Sequence, residues 1–316
     1  YFVLFDEEAI LRLNKGDLSQ YFFIIDEKVA ELYKNVIGNI IASEKTLILE
    51  ANEENKSLEK FSQHIEQLIY RKVRRNHTLV AIGGGIIQDI TSFLAATFMR
   101  GMPWHFYPTT LLAQADSCIG SKSSINVGGV KNILGTFTPP DKIYISVNFL
   151  KTLENAEICS GIGEMLKVHA IHSPESFNKI ASDYEYLFSD LSIMKKYIYR
   201  SLMIKKEFIE VDEFDKGPRN IMNYGHTFGH AIESATDFAI PHGIAVSIGM
   251  DMANFIAYKF GFSTLDVYQS MHPVLEKNYL PFKGKRIDVE RFLSAISKDK
   301  KNIDNKVKII APDKDG

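Results

Sequence analysis

Cysteine is nearly absent: Cys118 and Cys159 are the only two in 316 residues. They show no Cys-x-x-Cys spacing, so neither a disulfide framework nor a thiolate metal site can be built from them. Any metal must be held by other residues, and reduced thiols in a cytoplasmic setting are the expected state. Long apolar runs are missing as well. No stretch approaches the roughly 18 residues that span a bilayer, and the opening residues already carry Asp6, Glu7 and Glu8, so no membrane association is expected. Nor is there an excess of one charge. The 37 Lys+Arg against 39 Asp+Glu leave a net charge of −2, which argues against nucleic acid as a partner. Internal repeats, low-complexity tracts and long linkers are absent too. The chain begins without Met and stops soon after the strand-like stretch Val307 to Ile310, so further residues at one or both ends are expected.

What is present is an ordinary globular composition, 45% hydrophobic and 24% charged, long enough for two domains. Apolar runs of strand length occur at Tyr21 to Ile25, Thr46 to Leu49, Thr78 to Ile82, Trp104 to Tyr107 and Ile143 to Val147. Helical or turn-rich stretches separate them, the pattern of a largely parallel sheet with helical crossovers. After about residue 150 the strand signal fades, and stretches such as Ile193 to Val211 and Ile244 to Phe260 show helical spacing. The fold class expected is an α/β nucleotide-binding domain over residues 1–152, then an all-α metal-binding domain over 153–316. A cleft between them is the default place for a site.

Three segments carry chemistry. The first is Thr78-Leu-Val-Ala-Ile-Gly83-Gly84-Gly85-Ile-Ile-Gln-Asp89, a buried strand running through three glycines into an apolar helix. Glycines there let the backbone approach a pyrophosphate, whose charge meets the N–H groups of the helix N-terminus. A tight structural turn would need only one glycine. Asp26, after an earlier strand, either takes ribose hydroxyls or caps the helix beginning near Lys28. The second is Asn223-Tyr-Gly-His226-Thr-Phe-Gly-His230-Ala-Ile-Glu233, followed by Pro241-His242-Gly243. His226 and His230 project from one helix face, and His242 can swing back toward them. Imidazole suits zinc, and a catalytic zinc keeps a position open for substrate. Glu164 in Gly161-Ile-Gly-Glu164-Met-Leu-Lys167, read as an amphipathic stretch, would supply the carboxylate. His169 and His172 read as helix-surface residues. The third is Asp116-Ser-Cys-Ile-Gly-Ser-Lys122, then Lys131-Asn132, a Gly- and Ser-rich loop able to present donors and charges to a phosphate, or simply a solvated loop. Arg219, Lys205 and the pair Lys300-Lys301 carry the same ambiguity.

Taken in order, Pro108-Thr-Thr-Leu-Leu-Ala-Gln-Ala-Asp116-Ser, Gly161-Ile-Gly-Glu164-Met-Leu-Lys167 and Asn223-Tyr-Gly-His226-Thr-Phe-Gly-His230 with His242-Gly243 resemble the dehydroquinate synthase family of sugar phosphate cyclases, from Phe22 to Lys308. The resemblance implies a zinc or cobalt ion on Glu164, His226 and His242, with His230 near the substrate phosphate and not a ligand. It assigns substrate hydroxyls, carboxylate and phosphate to Asp116, Lys122, Asn132, Lys167, Lys205, Arg219 and Asn223, with a further phosphate contact from Lys301. It puts NAD on Gly84, Gly85 and Asp89, with Asp26, Glu53, Lys56, Thr109, Thr110, Lys131 and Thr152 around it. Arg100 matches an arginine lent to the partner's site, which implies a homodimer.

The implied reaction turns 3-deoxy-arabino-heptulosonate 7-phosphate into 3-dehydroquinate and phosphate, with NAD oxidising and re-reducing the substrate so that no net oxidation remains. The chain departs from the family pattern at Lys28, Ser121, Val130 and Ile244. Those departures leave room for a sibling cyclase making an aminodehydroquinate, valiolone or inosose, and a metal-dependent polyol or alcohol dehydrogenase is the other alternative. Lys205 with Arg219 argue for a carboxylate-bearing substrate, and Lys122, Asn132 and Lys301 for a phosphate, which a dehydrogenase would not need.

Overall fold

The computed structural model describes residues 1–128, 130–297 and 307–316. It divides into two compact units, Tyr1–Leu153 and Glu154–Gly316.

The first unit is built on a six-stranded sheet. Its strands are β1 (Phe2–Phe5), β2 (Tyr21–Asp26), β3 (Thr46–Leu49), β4 (Thr78–Gly83), β5 (Trp104–Pro108) and, after a separate ribbon, β8 (Lys142–Ile145). The order is β1-β8-β5-β4-β2-β3, and every pairing is parallel. Parallel strands covered on both faces need continuous apolar runs. Phe22 to Ile25 and Leu79 to Ile82 supply them, all fully buried. The chain moves from β2 outward to β3 and then returns to place β4 on the other side of β2. That reversal is a topological switch point, and ligands of open α/β sheets bind at the carboxyl ends of such strands.

Two elements escape the pattern expected from sequence. β1 is a four-residue edge strand on β8, and the segment expected as a loop is an antiparallel ribbon of β6 (Lys122–Val127) and β7 (Val130–Phe137). The ribbon is very tight: a side chain at Gly135 would place its Cβ 2.1 Å from the Ser123 carbonyl oxygen. β8 also ends two residues early, because Val147 opens a short 3-10 turn.

The second unit is helical, with no strand among its described residues. Val307–Ile310, expected as a strand, is irregular. With no sheet to join, its backbone bonds elsewhere, and the Lys308 carbonyl accepts from the Thr227 hydroxyl. The helix Asn155–His172 carries a Glu154/Glu157 capping box at its start. From Ile158 to His169 every residue is buried, so this helix is central and not amphipathic as expected. That places His169 inside, hydrogen-bonded to Ser176 at 2.8 Å, while His172 is on the surface as expected. The other long helices are Leu191–Val211, His226–Ala235, His242–Lys259, Leu265–Tyr279 and Val289–Ser297. Glycines let two of them approach backbone to backbone: a Cβ at Gly163 would lie 2.0 Å from the Gly243 carbonyl oxygen, and one at Gly243 would lie 1.8 Å from that of Ser160.

Candidate active site

In the first unit, β4 runs into the turn Gly83-Gly84 and then the helix Gly85–Thr97, whose N-terminus no side chain caps. Its first N–H groups are thus available to an anion. The turn is hemmed in closely. A Cβ at Gly84 would come within 2.9 Å of Thr110 Cγ2, and one at Gly83 within 2.6 Å of the Ile87 side chain and 3.2 Å of Asp26 Cβ. A Cβ at Gly85 would meet only Ser117 Oγ at 3.9 Å, so the open side of the turn is at Gly85. The Gly83↔Pro108 register and the bond from Thr109 N–H to the Gly83 carbonyl at 2.9 Å set Thr109 and Thr110 alongside. Asp26, across the switch point, caps the next helix by accepting from Lys28 N–H at 3.0 Å. The structural role left open for it is therefore filled by one of its oxygens.

A polar network ties the ribbon to this turn. Lys56, almost wholly buried, reaches Asp89 at 2.6 Å and Asn132 Oδ1 at 2.8 Å. Asp89 also accepts from Ser124 N–H at 3.0 Å. Burial pushes the Asp89 carboxyl above its usual range, against the pull of Lys56. Lys131 pairs with Glu53 at 3.2 Å, and Asn126 donates to Glu53 at 2.8 Å. Burial opposes charge on Glu53, yet Asn126 and the two lysines hold its carboxyl below the ordinary value. Ser124 and Asn126 were not foreseen, and their polar alternation beside Lys122 was the available signal. Thr152 lies apart from this network, bonded to Tyr33 Oη at 3.0 Å. Asp116 falls in a single π-helical turn, Ala113–Ser117, and Lys122 is exposed at the start of β6. Arg100 is exposed at the end of the short turn Phe98–Arg100, and Lys301 lies outside the described residues.

In the second unit, Glu164 comes from the central helix, His226 opens the helix His226–Ala235 and His242 opens the helix His242–Lys259. Their ligand atoms gather within 4.8 Å of one another. Glu164 is 1% exposed. One of its oxygens pairs with the Lys167 ammonium one turn along, and the other, Oε1, makes no hydrogen bond. Facing Oε1 are His242 Nε2 at 3.4 Å and His226 Nε2 at 3.7 Å.

The far sides of both rings fix how they are turned. His226 Nδ1 lies 3.1 Å from the Tyr224 carbonyl and His242 Nδ1 lies 3.1 Å from Glu233. Both partners can only accept, so each Nδ1 bears a proton and each ring turns its Nε2 toward Glu164. Burial and Lys167 push His226 well below its ordinary pKa and keep it neutral. Burial works the same way on His242, but Glu164 and Glu233 overcome it and push the pKa up to about 10. Despite its burial, Glu164 is held well below the carboxylate range by Lys167 and the histidines. Two inward imidazole nitrogens and an orphaned carboxylate oxygen around one point suit a cation that would displace the Nε2 proton of His242, and the donor set suits zinc or cobalt.

His230 is more exposed, its ring edge-on to His226 at 5.2 Å and stacked on His242 at 5.8 Å. A second possible trio, His230, Glu233 and His242, shares His242, but it lacks the buried orphan oxygen. The simple helix-face pairing of His226 with His230 therefore yields to a set drawn from three helices. Around it, Val168, Ile204 and Met222 pack together, which brings together the elements bearing Lys167, Lys205 and Asn223. Lys205 and Arg219 are buried, and Arg219 is anchored through Nη1 to the Glu213 carbonyl at 2.6 Å. Glu233 was not singled out from sequence, although its i, i+7 spacing from His226 places it on the same face.

Known proteins resemble this chain over most of its length. A 3-dehydroquinate synthase N-terminal family model matches residues 45–160, and the C-terminal model of the same enzyme matches 161–302. The 3-dehydroquinate synthase of Clostridium tetani (strain Massachusetts / E88) is 39% identical over 290 residues, covering 91% of this chain and 78% of that protein. This chain belongs to the 3-dehydroquinate synthase family. Two solved structures share its fold. One is 2-epi-5-epi-valiolone synthase from Streptomyces hygroscopicus subsp. jinggangensis 5008 with NAD+ and Zn2+ bound, at TM-score 0.82 and 23% identity over 94% of this chain and 85% of that one. The other is 2-deoxy-scyllo-inosose synthase complexed with carbaglucose-6-phosphate, NAD+ and Co2+, at TM-score 0.80 and 22% identity over 93% and 83%. Among the described residues no helix is long and apolar enough to cross a membrane.

Proposed function

We infer that this chain converts 3-deoxy-D-arabino-heptulosonate 7-phosphate to 3-dehydroquinate and inorganic phosphate. The observation that carries the reading is the buried Glu164 Oε1, faced by two imidazole Nε2 atoms in a chain of this family. Glu164, His226 and His242 would hold a zinc-class ion and the Gly84-Gly85 turn NAD; when bound, the ion would polarise a substrate hydroxyl and NAD would accept and return a hydride.

The chain's own residues do the rest by binding and charge. Lys167 neutralises the Glu164 oxygen that faces away from the imidazoles. Arg219 and Lys205, both buried, suit the substrate carboxylate. A guanidinium already fixed by one backbone bond loses little freedom when it grips an anion. His230, Asn223, Lys122 and Asn132 are assigned to the phosphate and hydroxyls, and Asp116 to a hydroxyl. Once the substrate carries a ketone, the neighbouring C–H is acidified. The phosphate can take that proton as the C–O bond to it breaks and a C=C bond forms, so the protein's main task is to position and stabilise charge. Arg100 completes the site of a partner subunit in a homodimer.

The deciding experiment supplies the heptulosonate phosphate, and separately other heptose and hexose phosphates, with NAD+ in catalytic amount. Phosphate release from the heptulosonate alone, without NADH accumulation, is expected. Turnover of a carboxylate-free sugar phosphate instead would favour a sibling cyclase, and stoichiometric NADH would favour a dehydrogenase.

A further inference from the structure

Glutamine is usually exposed, and in a buried apolar helix it brings two polar ends that must both be satisfied. Gln88, 6% exposed, stands one turn in from the start of the helix Gly85–Thr97. Both of its ends go to a single residue. Nε2 donates to the Ser117 carbonyl at 2.7 Å, and Oε1 accepts from the Ser117 hydroxyl at 2.6 Å. Ser117 is thus gripped by main chain and side chain at once, on the open side of the glycine turn where its Oγ is the nearest atom to a Gly85 Cβ.

Ser117 closes the π-helical turn Ala113–Ser117, which holds Asp116. The turn is shut by the bond from Cys118 N–H to the Ala113 carbonyl at 3.0 Å. A single turn of this kind is rare, and one hydrogen-bonded turn fixes more backbone freedom than its own bond repays, so its surroundings must hold it. At its start Gln114, fully buried, donates to the Pro108 and Ser146 carbonyls at 3.0 and 2.8 Å, which ties it to the carboxyl ends of β5 and β8. At its end the last carbonyls have no helical partner, and Gln88 takes that of Ser117. Asp89, the next residue, accepts from Ser124 N–H at 3.0 Å. Two adjacent side chains of one helix therefore hold the loop carrying Lys122 at both its ends, Ser117 and Ser124.

We infer that Gln88 is a positioning residue: acting through Ser117, it fixes the Asp116 turn against the helix that begins at the glycine turn. The inference rests on the substrate-hydroxyl role proposed for Asp116. Gln88→Leu keeps the volume and removes both bonds. In the full chain, amide exchange read by mass spectrometry should quicken roughly tenfold or more over residues 113–118, while the helix Gly85–Thr97 keeps its protection. NAD+ affinity, by calorimetry, should stay as in wild type. The kcat/KM for the heptulosonate phosphate should fall roughly tenfold to a hundredfold, as a small misplacement of a substrate contact does. Gln88→Glu matches the shape, but its carboxyl can replace the amide donor only while protonated. Its kcat/KM relative to wild type should therefore rise as the pH is lowered from about 8 to about 6, the range into which burial brings such a carboxyl. If thermal melts show that Gln88→Leu does not fold, Ser117→Ala, which removes only the hydroxyl bond, takes its place with a severalfold loss expected. Unchanged exchange over 113–118, an unchanged kcat/KM in the folded variant, a parallel loss of NAD+ affinity, or a Gln88→Glu deficit independent of pH would each overturn the inference. A wild type inactive on the heptulosonate phosphate would instead sink the proposed function, and the exchange rates alone would then decide whether Gln88 holds the turn.

Discussion

Glu233 touches no proposed substrate group, yet it decides which nitrogen of His242 faces Glu164. Its carboxylate accepts from Nδ1 at 3.1 Å and so holds the ring with Nε2 inward. Glu233→Gln should keep the fold and weaken metal affinity by roughly 10 to 100-fold, the usual effect of removing such an outer partner. Competition with a chelator of known affinity measures it, and an unchanged affinity would return Glu233 to a packing role. A second residue-scale prediction concerns His169, fully buried with Nε2 unpaired and its pKa brought down to about 4 by burial, with Arg200 adding to the effect. The folded state thus prefers the neutral ring, while the unfolded chain protonates near 6.5. The stability this contributes is fully present above pH 6.5 and is lost as the pH falls toward 4. Between pH 7 and 5 wild type should lose about 2 kcal/mol more than His169→Asn. Urea unfolding at the two pH values checks this, and equal losses would mean that His169 does not control the acid limb. At this scale the sequence was readable where a motif names its own chemistry, as at His226 and His242. It was not readable for His169, because a histidine spaced for a helix surface gives no sign that the helix is central.

The helices that carry Glu164 and His242 meet through glycine, and that contact sets the separation of the two side chains. With a Gly243 Cβ only 1.8 Å from the Ser160 carbonyl oxygen, Gly243→Ala forces the helices apart. Its cost should be about 1 to 3 kcal/mol or more, with a loss of metal affinity beyond what the stability change explains, since His242 is the adjacent residue. Gly261→Ala is the matched control. It has φ +74° and nothing within 4 Å of the added Cβ, so it should cost only about 1 kcal/mol of backbone strain and leave metal affinity untouched. Chemical denaturation paired with metal titration separates the two, and equal metal affinity in both variants would show that the glycine contact is mere packing. Legibility at this scale followed burial. β2 and β4 are apolar on both faces and stood out as runs. The β6–β7 ribbon is polar, held by contacts such as Ser123 Oγ to Thr136 Oγ1 at 2.8 Å and by the Asp89 and Lys56 network, none of which leaves a periodic apolar trace. Val307 to Ile310 shows the converse, an apolar run without a neighbouring strand to pair with.

For the whole molecule, the proposed exchange of Arg100 across a dimer rests on the backbone as well as on the family resemblance. Met99, Arg100 and Gly101 have φ of 51°, 65° and 118°, so two non-glycine residues in succession sit in left-handed conformations. Each such residue costs on the order of 1 to 3 kcal/mol and persists only where the surroundings enforce it. Here the strain presents an exposed arginine on a short turn after the glycine-turn helix. If that arginine serves the partner, Arg100→Ala and His242→Ala should each abolish turnover alone, for different reasons. Mixing the two after reversible dissociation should restore it. In a mixed dimer one site combines an intact His242 with the arginine of the other subunit, while the second site lacks both. With random pairing half of the dimers are mixed and half of their sites are complete, so activity should recover to about a quarter of wild type. Phosphate release before and after subunit exchange gives the answer, and size-exclusion chromatography confirms that exchange occurred. If exchanged dimers stay inactive, Arg100 acts within its own subunit, because only an arginine working across the interface can be supplied by the partner that lacks His242, and an Arg100→Ala protein active on its own would take Arg100 out of catalysis altogether.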